Sequence, residues 1–428
     1  MDAGITTSFW VIQHHMTSNS TPHHWPKMIA LVDMNCFFAQ IEQQDYPYWR
    51  NKPVGVTNGR LGSTIITASY EARSYGVKTG MRLKEARELC PNIIQAPSRP
   101  YRYAAVSTEI MDALFSITPT VEVYSVDEAF LDLTACQSLY DSPEHIGFLI
   151  KDTISQVSGL TCSVGISGDK TTAKFAAKLN KPDGMTIIAP WEAEERLRKE
   201  DVTELSGINK GIARFLGKYG IIKCGDMKKV PMSLIAKRFG NPGRRIWLMA
   251  QGRDPEPVIT TVKEPKSVGH GKVMPPGTRD MNTILTFFQH MSEKVGARLR
   301  KHHFLSDTFF IGLKTPFGWL GTKQKIDNAT DDGALIYDLC KQFIKSRYNG
   351  EECGQVQVTA LNPTHHKQQD MFVDESHKQK REALNTAIDK INERYGEFTV
   401  APTRVIGRSE MPNVIAPAWK PTGHRKTI

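Results

Sequence analysis

The sequence lacks any apolar run near the roughly 18 residues that a membrane-spanning helix needs. It also lacks a C-x-x-C pair. Its seven cysteines, Cys36, Cys90, Cys136, Cys162, Cys224, Cys340 and Cys353, are scattered and odd in number. That spacing argues against a disulfide framework or a zinc cluster and fits a reducing cytoplasm. The doublets His302-His303 and His365-His366 have no partners at ligand spacing, which weighs against a metal role. No G-x-x-x-x-G-K-[ST] occurs, so phosphates are not held by a P-loop. The first 27 residues lack a basic start followed by an apolar core and do not read as a signal peptide. They are polar and aperiodic, an expected flexible extension, with Met28 an alternative start.

The length of 428 residues exceeds one ordinary core and suggests roughly three or four units. Hydrophobic residues make up 40%, enough to build those cores. Lys and Arg outnumber Asp and Glu by 55 to 45, a formal net charge of +10 that favours a polyanionic partner.

Met28–Val32 reads as a buried strand ending in Asp33, and "NCFFAQIEQQ" follows with helical character. "PVGVT" and "TIITAS" read as strands around an Asn58–Ser63 turn, and "RLKEARELC" as a helix stopping before Pro91. Val106, Ile110 and Leu114 recur at helix spacing between Tyr103 and Ile117. Two short strands then flank Asp127-Glu128, followed by a helix from about Pro143 to Val157, the strand "LTCSVGIS" and the helix "DKTTAKFAAKLN", ended by "KPDG". With Asp45–Arg99 set aside as an insertion, the order is that of a ferredoxin-like split βαβ sheet. Leu205–Leu216 resembles the second half of a helix-hairpin-helix. Beyond an extended stretch at Glu256–Lys266 the pattern repeats. "KSVGHGKVM" is a strand, and Ile284, Phe288, Met291, Val295 and Leu299 stripe a helix, with Glu293 and Arg300 on its far side. "DTFFIGLKT" and "WLGTKQK" pair, Leu335, Leu339 and Phe343 stripe a second helix, and "QVQVTAL" closes the sheet. This second βαββαβ unit carries Lys266, Lys272, Arg279, Arg298, Arg300, Lys301, Lys323 and Lys325.

Tight hairpins favour Asn-Gly or Asp-Gly, yet "VYSVDEAFLDL" places two carboxylates between its strands. With Asp33, three acids are candidates for one place. Like charges repel, so the arrangement asks for a cation. Carboxylate and carbonyl oxygens suit Mg²⁺, and two such ions promote in-line phosphoryl displacement by activating the attacking oxygen and holding the leaving pyrophosphate.

"VDMNCFFAQIE", "TASYEARSYGVKTGM", "YSVDEAFLDL" and "VGISGDKTTAKFAAKLNKPDGM" together resemble the Y-family translesion DNA polymerases, in that family's order, with a polymerase IV-like core and a polymerase V-like tail. The resemblance implies an α+β multidomain chain: a flexible extension at 1–27, a ferredoxin-like palm at 28–44 and 100–190, small fingers at 45–99, and a helical helix-hairpin-helix thumb at 191–255. A linker at 256–265, a βαββαβ little finger at 266–361 and a tail at 362–428 complete it. It implies low-fidelity, template-directed translesion synthesis in DNA damage tolerance and the SOS response. No extra acidic motif suggests a proofreading nuclease.

By the same resemblance Asp33 and Asp127 would bind both Mg²⁺ ions, with Mn²⁺ an alternative, while Glu128 completes one site and the Met34 carbonyl the other. Asn35 stands where many polymerase IV sequences carry Asp. Phe38 falls on the steric gate, whose ring leaves no room for a ribose 2′-hydroxyl and cannot solvate one. Thr67, Tyr70, Arg73 and Lys181 would meet the dNTP triphosphate. Gly207, Asn209, Lys210 and Gly211 would present backbone N–H groups to primer-template phosphates, Asn209 standing where a second Gly is usual. Lys272, Arg298 and Arg300 would also contact DNA. Gln368, Asp370, Met371 and Phe372, in "QQDMF", resemble the peptide that docks on the bacterial sliding clamp. "REALNTAIDKINERYG" reads as an amphipathic helix with Leu384, Ala387, Ile388 and Ile391, which docks back or meets a partner. The tail leaves a polymerase V-type accessory subunit open.

Three other readings compete. A degenerate scaffold would have lost Asp33, Asp127 and Glu128. A nucleotidyl cyclase on a similar palm would need no thumb or second βαββαβ unit. A plain DNA-binding protein would not need Phe38 beside three acids.

Overall fold

The structure is a computed structural model and describes residues 25–60, 63–261, 264–365 and 375–408. Most of the expected extension and all of Gln368, Asp370, Met371 and Phe372 lie outside the described residues.

Strand β1 (Ile29–Met34) turns into helix α1 (Phe37–Asp45) through Cys36, which takes the left-handed conformation at φ 37°. The expected insertion holds β2 (Val54–Thr57), β3 (Ile65–Ala68), α2 (Tyr70–Ser74), α3 (Leu83–Leu89) and β4 (Ile94–Pro97). Next come α4 (Pro100–Leu114), β5 (Val121–Val123), β6 (Glu128–Asp132), α5 (Pro143–Ser158), β7 (Cys162–Ser167), α6 (Lys170–Leu179) and β8 (Met185–Ile187). An all-helical stretch follows, with α7 (Ala193–Arg198), α8 (Lys210–Gly217), α9 (Met232–Phe239) and α10 (Asn241–Met249). Last are β9 (Ser267–Thr278), α11 (Met281–Lys301), β10 (Ser306–Thr315), β11 (Gly318–Thr330), α12 (Gly333–Arg347), β12 (Cys353–Leu361) and α13 (Glu375–Tyr395). The fold is α+β and multidomain.

Among the described residues the strands form three sheets, ordered β5-β6-β1-β7-β8, β3-β2-β4 and β11-β10-β12-β9. In the first, β1 lies between the later hairpin and β7, as the split βαβ order predicts. Sequence reasoning missed β8, which pairs in parallel with β7. It has only three residues, all half-buried, so it shows no alternation. In the third sheet the last strand, β12, lies inside, antiparallel to both β10 and β9. The element order is again βαββαβ, but the strand order differs from that of the first sheet.

Two compact units result. One comprises Met1–Leu31, Leu131–Leu149 and Val164–Pro257, the other Val32–Phe130, Ile150–Ser163 and Val258–Ile428. The first contains a core of Phe175, Leu197, Leu216, Ile235 and Ile246. The second contains a small core around Ile65, Ala72, Leu83 and Ile93, and a larger one where α11 and α12 pack on the β11-β10-β12-β9 sheet. Ile284, Phe288, Met291, Val295 and Leu299 are buried there as their spacing predicts. On α12 the prediction needs correction. Leu335 is 51% exposed and Ile336 takes the inward place. Asp332 caps the helix by accepting the Ala334 N–H at 2.9 Å, and that start sets the phase.

Glu293 and Arg300, expected on an outer face, are covered. The Arg300 Nε and Nη2 atoms donate to Asp389 of α13 at 2.6 and 2.8 Å. Arg381 of α13 donates to Asp332 at 2.6 and 3.1 Å. Beyond the helix, both Glu397 oxygens accept from Lys294 Nζ at 2.5 and 2.7 Å. α13 therefore docks back through its polar side, while Leu384, Ala387 and Ile391 of the expected apolar stripe stay exposed.

Candidate active site

The run Ile29–Val32 is buried, and Asp33 is the first polar residue of β1. Glu128 opens β6, with Asp127 just before it. The Met34 N–H donates to the Asp127 carbonyl at 2.9 Å, so the backbones of the two acidic motifs lie side by side. Side chains and backbone close the turn in place of a positive-φ residue. The Tyr124 and Ser125 N–H groups both donate to the Glu128 carbonyl, at 2.9 and 3.0 Å. Ser125 Oγ donates to Asp127 Oδ1 at 2.6 Å and accepts the Asp127 N–H at 3.3 Å. Ser107 Oγ of α4 donates to the Val126 carbonyl at 2.6 Å. The turn can thus present acids because its shape is held from neighbouring groups.

Among the described residues, no three His, Cys, Asp or Glu side chains form a group able to hold a metal ion. Asp33, Asp127, Glu128 and the Met34 carbonyl are hard oxygen donors. They fit the chemistry of Mg²⁺, which takes one or two carboxylates and completes its shell with water and substrate phosphates rather than in a closed protein cage. Asn35 is excluded from that donor set. It is buried, its Nδ2 donates to Thr161 Oγ1, and its Oδ1 accepts from Ser163 Oγ, both at 3.0 Å.

Phe38 is buried and stacks on Tyr103, ring centroids 4.4 Å apart and planes 18° from parallel. Tyr103 Oη donates to Glu42 Oε1 at 2.6 Å, and Arg99 Nε donates to the same oxygen at 2.9 Å. Arg99 and Arg102 both reach Asp45. Burial, reinforced by the Glu42 charge, pushes the Tyr103 phenol well above its usual range. The hydrogen bonds from Arg102, assisted by Arg99, hold Asp45 below its usual range against desolvation. Sequence reasoning missed Tyr103, Glu42 and Arg99. The available signal was an acid, Glu42, one helical turn beyond Phe38 on a buried face.

On α2, the Arg73 guanidinium lies 4.7 Å from the centre of the Tyr70 ring, and Arg73 Nε donates to the Ala68 carbonyl at 2.9 Å. The Tyr70 hydroxyl is buried without a hydrogen-bond partner. Burial raises its pKa, Arg73 opposes the rise, and the nearby Cys36 and Asp33 add to it. Thr67 Oγ1 donates to the Ile66 carbonyl at 2.9 Å. The structure thus brings Tyr70 and Arg73 together. Lys181 lies in the other compact unit, between α6 and β8.

At the expected thumb hairpin Gly207 has φ 95°, but Asn209 has φ −83° and does not use the left-handed region. It caps α8 instead. Its Oδ1 accepts the Gly211 and Ile212 N–H groups at 2.9 and 3.0 Å, occupying donors that the sequence reading assigned to phosphate. Lys210 is exposed. The expected DNA contacts at Lys272, Arg298 and Arg300 are also placed differently. Lys272 is buried, Arg298 donates to the Gly269 carbonyl at 3.1 Å, and Arg300 is held by Asp389. Of the other cations expected in this unit, Lys266, Arg279, Lys301, Lys323 and Lys325 are exposed, and Lys314 on β10 is exposed as well.

Residues 32–178 match the impB/mucB/samB family, and residues 265–371 its C-terminal domain. The chain is 34% identical to DNA polymerase IV of Moorella thermoacetica over 384 residues, 87% of this chain and 94% of that protein. It is 38% identical to DNA polymerase IV of Shewanella loihica over 333 residues, 75% of this chain and 90% of that protein. A solved Y-family DNA polymerase chimera superposes with a TM-score of 0.68 at 29% identity, covering 78% of this chain and 98% of that one. With the paired acidic motifs and this fold, the chain belongs to the impB/mucB/samB family, that of the Y-family translesion DNA polymerases.

Proposed function

We propose that the chain extends a DNA primer opposite damaged template bases by two-metal nucleotidyl transfer, without proofreading. It is a DNA-directed DNA polymerase of the Y family. The observation that carries the finer reading is the Tyr70–Arg73 pair: a buried hydroxyl without a partner and a guanidinium 4.7 Å from the ring centre. A triphosphate would satisfy both groups, since phosphate oxygens accept from hydroxyl and guanidinium alike.

Asp33, Asp127, Glu128 and the Met34 carbonyl would hold divalent ions, Mg²⁺ or Mn²⁺, which supply an activated primer 3′-oxygen and charge neutralisation at the leaving pyrophosphate. Ser125 holds the Asp127 carboxylate in place, and Phe38, backed by Tyr103, would close off the sugar 2′ position. Thr67 and Lys181 would add contacts to the phosphates. The palm, fingers, thumb, linker and little finger would take the residue ranges expected from the sequence. A sliding clamp engaging Gln368–Phe372, a polymerase V-type accessory subunit, the SOS response and a cytoplasmic location belong to the same proposal.

Primer extension tests it. Purified chain with a primed template, dNTPs and Mg²⁺ is expected to extend the primer, and Asp127→Ala to abolish extension. Wild-type extension that survives Asp127→Ala would remove the acids from the chemistry. No extension by the wild type, with clamp added, would favour the scaffold reading.

A further inference from the structure

Helix α2 carries the Tyr70–Arg73 pair on only five residues. So short a helix does not hold itself together, because the cost of nucleation is not recovered over one turn. Groups outside it must therefore fix where the two side chains point. Ser69 is the first of these. It is 0% exposed. Its Oγ caps α2 by accepting the Ala72 N–H at 3.3 Å, and also accepts the Val54 N–H of β2 at 3.0 Å. The same hydroxyl donates to the Lys52 carbonyl at 3.3 Å. Its one donor and both its acceptor positions are thus in use. The Ser69 N–H donates to the Val54 carbonyl at 2.9 Å, so the start of α2 is tied to the start of β2 at several points.

The Lys52 carbonyl takes a second hydrogen bond, from Gln43 Nε2 of α1 at 3.0 Å. That amide also donates to Glu71 Oε2, in the first turn of α2, at 3.0 Å. Ser69 and Gln43 therefore meet on one carbonyl and join α2 to α1, the helix that carries Phe38. We propose that Ser69 and Gln43 are positioning residues for dNTP binding: through the Lys52 carbonyl and Glu71 they hold Tyr70 and Arg73 at a fixed setting relative to α1. This rests on the reading of Tyr70 and Arg73 as triphosphate contacts. Neither Ser69 nor Gln43 would touch the nucleotide; both act through α2.

The test is single-nucleotide primer extension by the full chain, with initial rates measured against dNTP concentration. Arg73→Ala is the reference and is expected to raise the dNTP KM by roughly 10-fold or more, the loss of a charged hydrogen bond. Ser69→Ala, which removes the cap, should raise KM by roughly 3- to 30-fold. Gln43→Leu should raise it by roughly 2- to 10-fold. In both, kcat should stay within about threefold, because a loosened α2 weakens ground-state and transition-state binding alike. Gln43→Glu, which sets one carboxylate against another, should do at least as much harm as Gln43→Leu. Gln43→Lys, which keeps donors for Glu71 and the carbonyl, should return KM to within about twofold of wild type. Affinity for primer-template DNA, measured by fluorescence anisotropy without dNTP, should change by less than about twofold throughout. Unchanged KM in Ser69→Ala and Gln43→Leu, with KM raised in Arg73→Ala, would overturn the positioning role and leave the triphosphate reading standing. Unchanged KM in Arg73→Ala would remove that reading and the positioning role with it. Equal losses of kcat and DNA affinity beside KM would mark a general structural defect and overturn the proposal. Where Ser69→Ala fails to fold, Gln43→Leu and its Gln43→Lys rescue decide, because Gln43 is only half-buried.

Discussion

Glu42 is an acid at a buried position whose one oxygen receives both a phenol and a guanidinium. Removing one member of such a pair leaves the other unsatisfied, which costs more than the pair is worth. Arg99 is partly exposed, so Glu42→Ala is expected to destabilise by about 2–3 kcal/mol in urea unfolding. Phe38→Ala, which empties the ring stacked on Tyr103, is expected to raise ribonucleotide incorporation in primer extension while dNTP use persists. His290 carries a pH prediction. It is buried with an unpartnered Nδ1, near Lys294, Lys272 and Arg408, while the Phe398 ring contacts its edge. Burial first, then those cations, lowers its pKa to about 3 from 6.5. The unfolded chain therefore binds a proton that the folded chain refuses. Stability should fall as pH drops from about 6.5 towards 3, by up to about 1.4 kcal/mol per pH unit from this group. His290→Gln should flatten that slope in denaturation midpoints measured against pH. None of this was legible beforehand. The sequence marks His290 and Lys294 as polar positions on a helix, and their cover, Glu397 and Phe398, arrives about a hundred residues later.

At the scale of elements, legibility followed periodicity. The α11 stripe could be read, as could the alternation of Phe309, Ile311 and Leu313 in "DTFFIGLKT", because a single packed face selects every third or fourth, or every second, residue. Leu335 misled because helix phase depends on the cap, and β8 was too short to show a pattern. Gly165 of β7 shows what backbone proximity demands. A Cβ there would lie 2.2 Å from the Ala173 carbonyl oxygen and 2.3 Å from the Ala177 nitrogen of α6. Gly165→Ala should cost more than about 3 kcal/mol, seen as a lowered denaturation midpoint or failed expression. For α13, the polar side attaches. Asp389→Asn should cost about 1–3 kcal/mol by weakening the hold on Arg300. Leu384→Gln, on the exposed side, should stay within about 0.5 kcal/mol. Reading that helix as amphipathic identified the stripe correctly but not which side would be covered, because ion pairs from Asp332 and Arg300 outweigh a short apolar stripe.

For the whole molecule, the acidic motifs and the order of elements were readable because each motif is local, whereas the availability of cations was not. The net charge of +10 is a sum that does not say which cations are available, and Arg381, Arg300 and Lys294 are taken up inside the fold by Asp332, Asp389 and Glu397. DNA affinity should still fall steeply with salt, but with a slope set by the exposed lysines rather than by Lys272, Arg298 and Arg300. One feature of the third sheet also governs how the chain is made. β12 is the last of its strands in sequence, yet it separates β9 from β10. As the chain leaves the ribosome, β10 and β11 can zip together at once, while β9 must wait for residues some 80 positions later before it has a neighbour. A nascent chain stalled before Cys353 therefore holds an orphaned strand with open N–H and C=O groups on both sides. Translation pauses within that interval, rather than mutations in the finished sheet, are where this polymerase would be most exposed to misassembly.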